Sequence, residues 1–118
     1  MSVASKLATE STLTITQLES LALHQRVLSG EMSLKQAADQ RSGGPVSVGA
    51  YYRVVGQAKK NVRASVLTVL TALWLGYIRF EDLTRLLQLV GKDPVELSEE
   101  EANQLMGVLN AILDKIVM

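Results

Sequence analysis

Apolar residues recur along this chain at spacings of three and four, the repeat that most restricts the folds open to it. The clearest run is the stripe formed by Val48, Tyr51, Val55, Ala58 and Val62. This spacing places side chains on one face of a helix, whereas a half-buried strand needs alternation over several residues. No segment alternates for long, so the sequence predicts an all-α protein with five or six helices.

Capping patterns locate the expected helix ends. A Ser or Thr followed three residues later by Glu or Gln satisfies two backbone N–H groups that a helix leaves unpaired. The pattern occurs at residues 16–19, 33–36 and 98–101. Ser47 is a further N-cap residue, and Gly30 stands where the first helix should end.

Each predicted helix has an expected inward face. The short second helix should face inward with Leu34, Ala37 and Ala38, and a fourth should span residues 80–90. In the first helix we expect the inward face to be Ile15, Leu18, Leu21, Ala22 and Leu28. In the last helix it is Ala102, Leu105, Met106, Leu109, Ile112, Leu113 and Ile116.

Length and composition favour one compact domain in the cytoplasm. The chain has 118 residues, of which 47% are hydrophobic, enough for a core of its own. The N-terminus has no apolar run typical of a secretory signal, and the uncharged segment 64–78 is shorter than the roughly 20 residues of a membrane span. We expect a partly ordered tail at 1–13, a functional region at 14–63 and a helical packing region at 64–118.

Residues suited to catalysis or metal binding are scarce. There is no cysteine and a single histidine, His24, which excludes thiolate and multi-histidine metal sites. We place His24 on the polar side of the first helix or at its edge, as a surface residue. The glycine pair at 43–44 is not followed by the Lys and Ser/Thr of a phosphate loop, so we interpret it as a turn. The three glutamates at 99–101 point in different directions around a helix and therefore do not form a paired acid–base site. We expect no enzyme activity and no cofactor.

The charges are unevenly distributed along the chain. The whole sequence balances 12 basic against 12 acidic residues, which by itself argues against a nucleic-acid partner. Residues 1–40 carry three cations against four acids, and residues 81–118 carry three against eight. The block 41–80 has no acid and six cations: Arg41, Arg53, Lys59, Lys60, Arg63 and Arg79. Such a block beside a short pair of helices is typical of duplex binding, although it is also compatible with a solvated face or with pairing to the acidic helices.

A known pattern matches the same region. It comprises Leu13-Thr14 before an amphipathic helix ending in Ser29-Gly30, the segment 32–38 with its small pair Ala37-Ala38, and the segment 47–63, which opens Ser-Val-Gly and closes with a basic run. Residues 13–63 thereby resemble the helix-turn-helix of region four of bacterial sigma factors and of related response-regulator output domains. The turn at 41–46 is about three residues longer than that of the family.

The resemblance implies a trihelical reader of double-stranded DNA whose third helix enters the major groove. Arg53 would be bidentate to a guanine and Ala50 would touch a thymine methyl. Gln57, Lys59, Lys60 and Arg63 would track phosphates. The full set of implied DNA contacts is Ser33, Lys35, Gln36, Ser47, Gly49, Ala50, Tyr52, Arg53, Gln57, Lys59, Lys60 and Arg63.

Two positions in the third helix have more than one interpretation. Gly56 costs about 1 kcal/mol relative to Ala inside a helix, which we attribute to tight helix packing in preference to close approach of a phosphate backbone. Tyr51 shares the apolar stripe and should be core. The role of Tyr52 has three interpretations: a surface aromatic, a contact to DNA or an interface residue.

The second half of the chain has more apolar side chains than a small body can cover. Two interpretations are open. These side chains bury one another within a monomer, or some of them form an isologous dimer contact, since two-fold dimers match palindromic DNA sites. We favour a homodimer, with these interface residues: Val66, Leu70, Leu73, Trp74, Tyr77, Leu109, Ile112 and Ile116. The leading hypothesis is a sequence-specific transcription regulator; the alternatives are a protein-interaction module and an architectural DNA-binding protein.

Overall fold

The computed structural model describes residues 11–90 and 99–117, and within these ranges the chain is all-α with no strand. The helices are α1 (Ile15–Leu28), α2 (Leu34–Asp39), α3 (Val48–Leu75), α4 (Phe80–Val90) and α5 (Glu99–Ile116). The predicted all-α fold is therefore confirmed, and α4 has the predicted bounds. The capping box predicted at 98–101 begins outside the described residues. None of the described helices is long and apolar enough to cross a membrane.

The chain divides into two compact units. The N-terminal unit is Ser11–Ala64, and the C-terminal unit includes the described residues from Ser65 onward. This boundary lies one residue from the division between functional and packing regions that the sequence suggests. Each unit has its own buried residues.

The start of α1 differs from the prediction, whereas its end does not. Thr14, not Thr16, is the N-cap, and it forms the capping box with Gln17. Gly30 has φ 83° and its N–H donates to the Val27 carbonyl, while the Glu31 N–H donates to the Arg26 carbonyl. These two bonds are the Schellman arrangement that satisfies the last carbonyls of a helix.

The core of the N-terminal unit lies between small residues of α2 and the inward stripe of α3. Ala37 and Ala38 are fully buried, as predicted, and pack in one cluster with Met32, Tyr51 and Val55. Leu23, Val27, Leu34 and Val46 pack around that cluster. The two alanines let the backbone of this six-residue helix pack closely, so one face of α2 is buried while Lys35, Gln36 and Asp39 remain exposed.

Helix α3 runs without interruption past Ser65. The sequence has no strong stop after Val62, and the helix ends only where Gly76, at φ 83°, donates to the Leu73 carbonyl. The Tyr77 N–H donates to the Ala72 carbonyl and completes a second Schellman arrangement. The result is a helix of 28 residues.

The C-terminal unit has a thinner core. In α5 the buried residues are Ala102, Leu109 and Ile116, spaced by seven, and Leu113 is exposed instead of buried. In α4, Leu83 and Leu86 are half-buried, whereas Phe80 and Leu87 are exposed. Much of the apolar surface of this unit therefore faces outward.

Candidate nucleic-acid interface

The cations of α3 lie on the side of the helix away from its buried stripe. Tyr51, Val55 and Ala58 are at most 1% exposed. The row Gly49, Arg53, Gly56, Lys60 and Arg63 is spaced by four, three, four and three, which places it on one opposite face. We call this row, with the neighbouring Tyr52, Gln57 and Lys59, the basic face. All its members are exposed except Gly56, which is half-buried.

No carboxylate neutralises the basic face within the described part of the chain. The ion pairs found there are Arg26–Glu31 at 3.1 Å and Arg85–Asp82 at 3.8 Å, and neither includes a residue of α3. Pairing of these cations with the acidic helices, one of the alternatives open from the sequence, is thus not seen among the described residues. The four cations Arg53, Lys59, Lys60 and Arg63 are exposed.

Three residues that the resemblance assigns to DNA contact already serve as helix caps. Ser33 Oγ accepts from the Gln36 N–H at 3.2 Å, and Gln36 Oε1 accepts from the Ser33 N–H at 2.8 Å. Ser47 Oγ accepts from the Ala50 N–H at 3.1 Å. These bonds determine where α2 and α3 begin, so any role in binding is added to a structural one. Lys35, also on α2, is exposed and does not cap a helix.

His24 is in the core, not on the polar side of α1, so its predicted position is wrong. It is 5% exposed, and its Nδ1 is hydrogen-bonded to the Tyr51 hydroxyl at 3.1 Å. Tyr51 thus supplies the polar partner that lets α1 bury His24. Ser20 is also buried on α1, and its hydroxyl has no hydrogen-bond partner within the described part of the chain.

The inward face predicted for α1 is correct only in part. Ile15 (82%), Leu28 (68%) and Ala22 are exposed, whereas Leu18 and Leu21 are half-buried.

The same histidine links the core to the basic face. The ring of Tyr52 meets the His24 ring edge-on, with centroids 5.9 Å apart, while about half of Tyr52 remains exposed. Burial, together with the nearby charge of Lys59, lowers the pKa of His24. Burial likewise raises the pKa of the Tyr51 hydroxyl. His24 is therefore neutral at neutral pH, behind a surface that carries cations.

Polar side chains fasten α3 to the segment that precedes α1. Asn61 Nδ2 donates to the Thr12 carbonyl at 2.7 Å and to Gln17 Oε1 at 3.1 Å. The Thr12 hydroxyl donates to Asn61 Oδ1 at 2.6 Å. Asn61 lies off the basic face, so these bonds hold the helix from the side and leave the cations uncovered.

The connection from α2 to α3 is held by one carboxylate of α1. This connection contains the predicted turn, closed by a bond from the Gly44 N–H to the Arg41 carbonyl at 3.0 Å. Glu19 accepts from both the Ser42 hydroxyl and the Ser42 N–H. These two hydrogen bonds, in that order, lower the pKa of Glu19. The two hydrogen bonds from Ser42 to Glu19 hold the longer turn against α1 and so position the start of α3.

Gly56 does not mark tight packing, contrary to the preferred interpretation from sequence. A Cβ at Gly56 would meet no atom within 4 Å, and the same holds for Gly49. The packing of the chain itself therefore does not require a glycine at either place. Both positions leave the backbone of the basic face open to close approach from outside.

The proposed interface residues of the C-terminal unit divide into two groups. Val66, Leu70, Trp74 and Tyr77 are all more than half exposed. Leu73 and Ile112 are half-buried. Leu109 and Ile116 are instead buried within the single chain, so their place in a dimer contact is not supported. The exposed group lies on α3 and directly after it.

Comparison of the chain with protein families, with curated proteins and with solved structures finds no match. The functional interpretation accordingly depends on the geometry of the basic face and on the residues themselves.

Proposed function

We propose that this protein is a sequence-specific transcription regulator that acts as a homodimer and binds DNA through the basic face of α3. The observation that carries the proposal is the row of exposed cations, without ion-pair partners among the described residues, opposite the buried Tyr51, Val55 and Ala58. Val48 and Val62, at the two ends of the predicted stripe, are exposed instead of buried. A rigid helix with one buried and one cationic face presents charge to a duplex at little entropic cost. The helix-turn-helix resemblance of residues 13–63 supports the same function, and we place the activity in the cytoplasm with the DNA.

Roles within the face follow from position. Arg53 stands near the N-terminal end of α3, where base edges are met in helix-turn-helix proteins, and its planar fork suits the two acceptors of guanine. Lys59, Lys60 and Arg63 lie further along and are suited to phosphates. We therefore assign sequence choice chiefly to Arg53 and affinity chiefly to the later cations.

Binding of a labelled 30-bp duplex of mixed sequence at several salt concentrations tests this proposal. Phosphate contacts make affinity fall steeply with salt, and each lost contact reduces the slope by roughly one unit. Lys60→Ala and Arg63→Ala should each reduce the salt slope by about one unit, whatever the sequence of the duplex. Lys115→Ala, which removes an exposed cation of α5, is the matched control and should leave the slope unchanged.

Sequence choice is tested by selection from a randomised duplex pool. The wild type should enrich a defined site, and Arg53→Ala should relax the choice at one or two positions while retaining most of the affinity. Steep salt dependence without enrichment would instead identify an architectural DNA-binding protein.

A protein-interaction module is the second candidate, favoured by the exposed apolar residues that follow the basic face. If this second candidate is correct, the protein should not bind duplex DNA, or its affinity for duplex DNA should not change when Arg53, Lys60 and Arg63 are changed to alanine.

A further inference from the structure

A ring contact between His24 and Tyr52 joins the core of the N-terminal unit to the basic face. The two ring planes are 82° apart, with their centroids separated by 5.9 Å. His24 is 5% exposed, whereas Tyr52 is 51% exposed. We propose that the Tyr52 hydroxyl donates to a phosphate of the duplex, and that His24 is the positioning residue that holds Tyr52 for this contact. This role rests on the proposed function and adds an uncharged contact to the same binding site.

Tyr52 lies on the same side of α3 as two of the cations assigned to phosphates. Gly56, Lys59 and Arg63 follow it at spacings of four, three and four. These spacings place the four residues within about 60° of one another around the helix. All four belong to the N-terminal unit. Phosphates that meet Lys59 and Arg63 therefore lie on the side of the helix that Tyr52 occupies.

The neighbours of Tyr52 on the helix surface leave its outer part uncovered. The residues three and four positions away are Val48, Gly49, Val55 and Gly56. Val55 is buried, and a Cβ at either glycine would meet no atom within 4 Å. The Tyr51 hydroxyl bonds to His24 inside the core, whereas no hydrogen bond of the Tyr52 hydroxyl is found within the described part of the chain. The Tyr52 O–H is thus available to a phosphate oxygen, an acceptor to which tyrosine donates in protein–DNA complexes.

His24 restricts the conformation of a side chain that would otherwise be free to rotate. An exposed tyrosine samples several rotamers, and fixing one of them on binding lowers affinity. The His24 ring is itself fixed, because it is buried and its Nδ1 is hydrogen-bonded to the Tyr51 hydroxyl at 3.1 Å. A near-perpendicular aromatic pair is a favourable arrangement. Tyr52 is therefore held in one orientation before DNA arrives, so less side-chain entropy is lost on binding.

Tyr52→Phe tests the phosphate contact, because it removes only the hydroxyl. Affinity for the 30-bp duplex should fall about three- to tenfold at every salt concentration, as expected for one lost hydrogen bond. The salt slope should stay unchanged, since an uncharged donor releases no counterions. Lys60→Ala, the comparison variant, should reduce the slope by about one unit. Unchanged affinity, or a different sequence enriched from the randomised pool, would show that Tyr52 does not bind phosphate.

Two variants separate the ring of His24 from its hydrogen bond. His24→Asn keeps a polar atom near the Tyr51 hydroxyl but removes the ring, and should weaken duplex binding about two- to tenfold. His24→Phe combined with Tyr51→Phe keeps a ring and removes the hydrogen bond, and should bind as the wild type does. Circular dichroism checks that each variant is folded under the binding conditions. The opposite ranking would mean that His24 matters only for the stability of the core, and would overturn its positioning role.

A double-mutant cycle tests whether His24 acts through Tyr52. In the Tyr52→Ala background, His24→Asn should change the affinity by less than about twofold, because the side chain that His24 positions is gone. An equal loss with and without the Tyr52 ring would rule out the positioning role. If His24→Asn does not fold, His24→Leu and His24→Phe, each combined with Tyr51→Phe, give the same comparison with an apolar core. Only the variant with Phe keeps a ring beside Tyr52 and should bind as the wild type does.

The possible outcomes distinguish this role from the proposed function. A wild type that binds no duplex would overturn both. Duplex binding that weakens when Arg53, Lys60 and Arg63 are changed to alanine, but not in Tyr52→Phe, would leave the proposed function standing and contradict the phosphate contact. Weaker binding by Tyr52→Phe, with additive effects in the cycle, would retain Tyr52 and remove His24 from the site.

Discussion

The two halves of α3 have the same apolar period but different surroundings. In residues 48–63, Tyr51, Val55 and Ala58 are fully covered by other residues of the N-terminal unit. In residues 64–75, Val69 and Leu73 continue the same face and are only half-buried, while Val66 and Leu70 beside them are more than half exposed. Helical periodicity therefore identifies an apolar face without revealing how completely it is covered, and here the chain covers the second segment less completely than the first.

The charges of the two halves differ in the same way. The first half has four cations, and the second has none. The first half therefore combines a buried stripe with an exposed cationic face, while the second half leaves apolar side chains exposed. The predictions below test this division of labour within one helix, beginning with the largest expected effect.

Tyr51→Ala should cause the largest loss of stability. It removes a fully buried aromatic ring and leaves His24 without its hydrogen-bond partner, so the free energy of unfolding should fall by about 3–5 kcal/mol. Tyr52→Ala, next to it but half exposed, should cost under about 1 kcal/mol. Urea unfolding followed by circular dichroism measures both, and equal losses would contradict the assignment of the covered stripe.

The same substitution in the two halves gives the most direct comparison. Val55→Ala should cost about 1–3 kcal/mol, because Val55 is 1% exposed. Val66→Ala should change the free energy of unfolding by less than about 0.5 kcal/mol, because Val66 is 54% exposed. A comparable cost at Val66 would mean that the chain itself covers this side chain.

Acid should destabilise the N-terminal unit through His24. Its pKa is lowered from 6.5 by burial, so the unfolded chain binds a proton first as pH falls. Stability is then fully present above 6.5 and declines with pH below that value. His24→Leu should flatten the profile just below pH 6.5, and an unchanged slope in that variant would exclude His24 as the source. Glu19, whose pKa is lowered from 4.5, adds a second loss at lower pH.

Gly56→Ala should have the smallest effect, and its sign is informative. A methyl group at Gly56 meets open space, so the substitution should stabilise the protein by about 0.5–1 kcal/mol through helix propensity. Gly30→Ala, at φ 83°, should destabilise by a similar amount or more. Weaker duplex binding by a stabilised Gly56→Ala would show that the backbone approaches DNA there; destabilisation would show that Gly56 is packed after all.

Local patterns predicted much of the fold. The capping box of Ser33 and Gln36, the N-cap Ser47 and the terminal Gly30 depend on residues close in sequence, and all are present. The buried pair Ala37-Ala38 was likewise predictable, since small residues in a short helix signal close packing. These features need no knowledge of the tertiary structure.

The inward face of α1 could not be predicted in this way. Hydropathy favours Ile15 and Leu28 over Ser20 and His24, and nothing local shows that Tyr51, 27 residues away, supplies a hydrogen bond to the histidine. The capping box predicted at 16–19 is wrong as well: Thr14 and Gln17 form the box, and Gln17 also accepts a hydrogen bond from Asn61 of α3. For the candidate site, the basic face was predictable from charge and spacing, whereas the open space at Gly56 was not.

The central claim is that the basic face of α3 binds duplex DNA. It is tested most directly by the salt dependence of affinity for a 30-bp duplex, measured for the wild type and for the triple change of Arg53, Lys60 and Arg63 to alanine. A control with Arg26, Arg85 and Lys115 changed to alanine removes the same charge elsewhere. We expect the first variant to reduce the slope by about three units per bound chain and the control to retain it. Equal slopes for the two triple variants would contradict the claim.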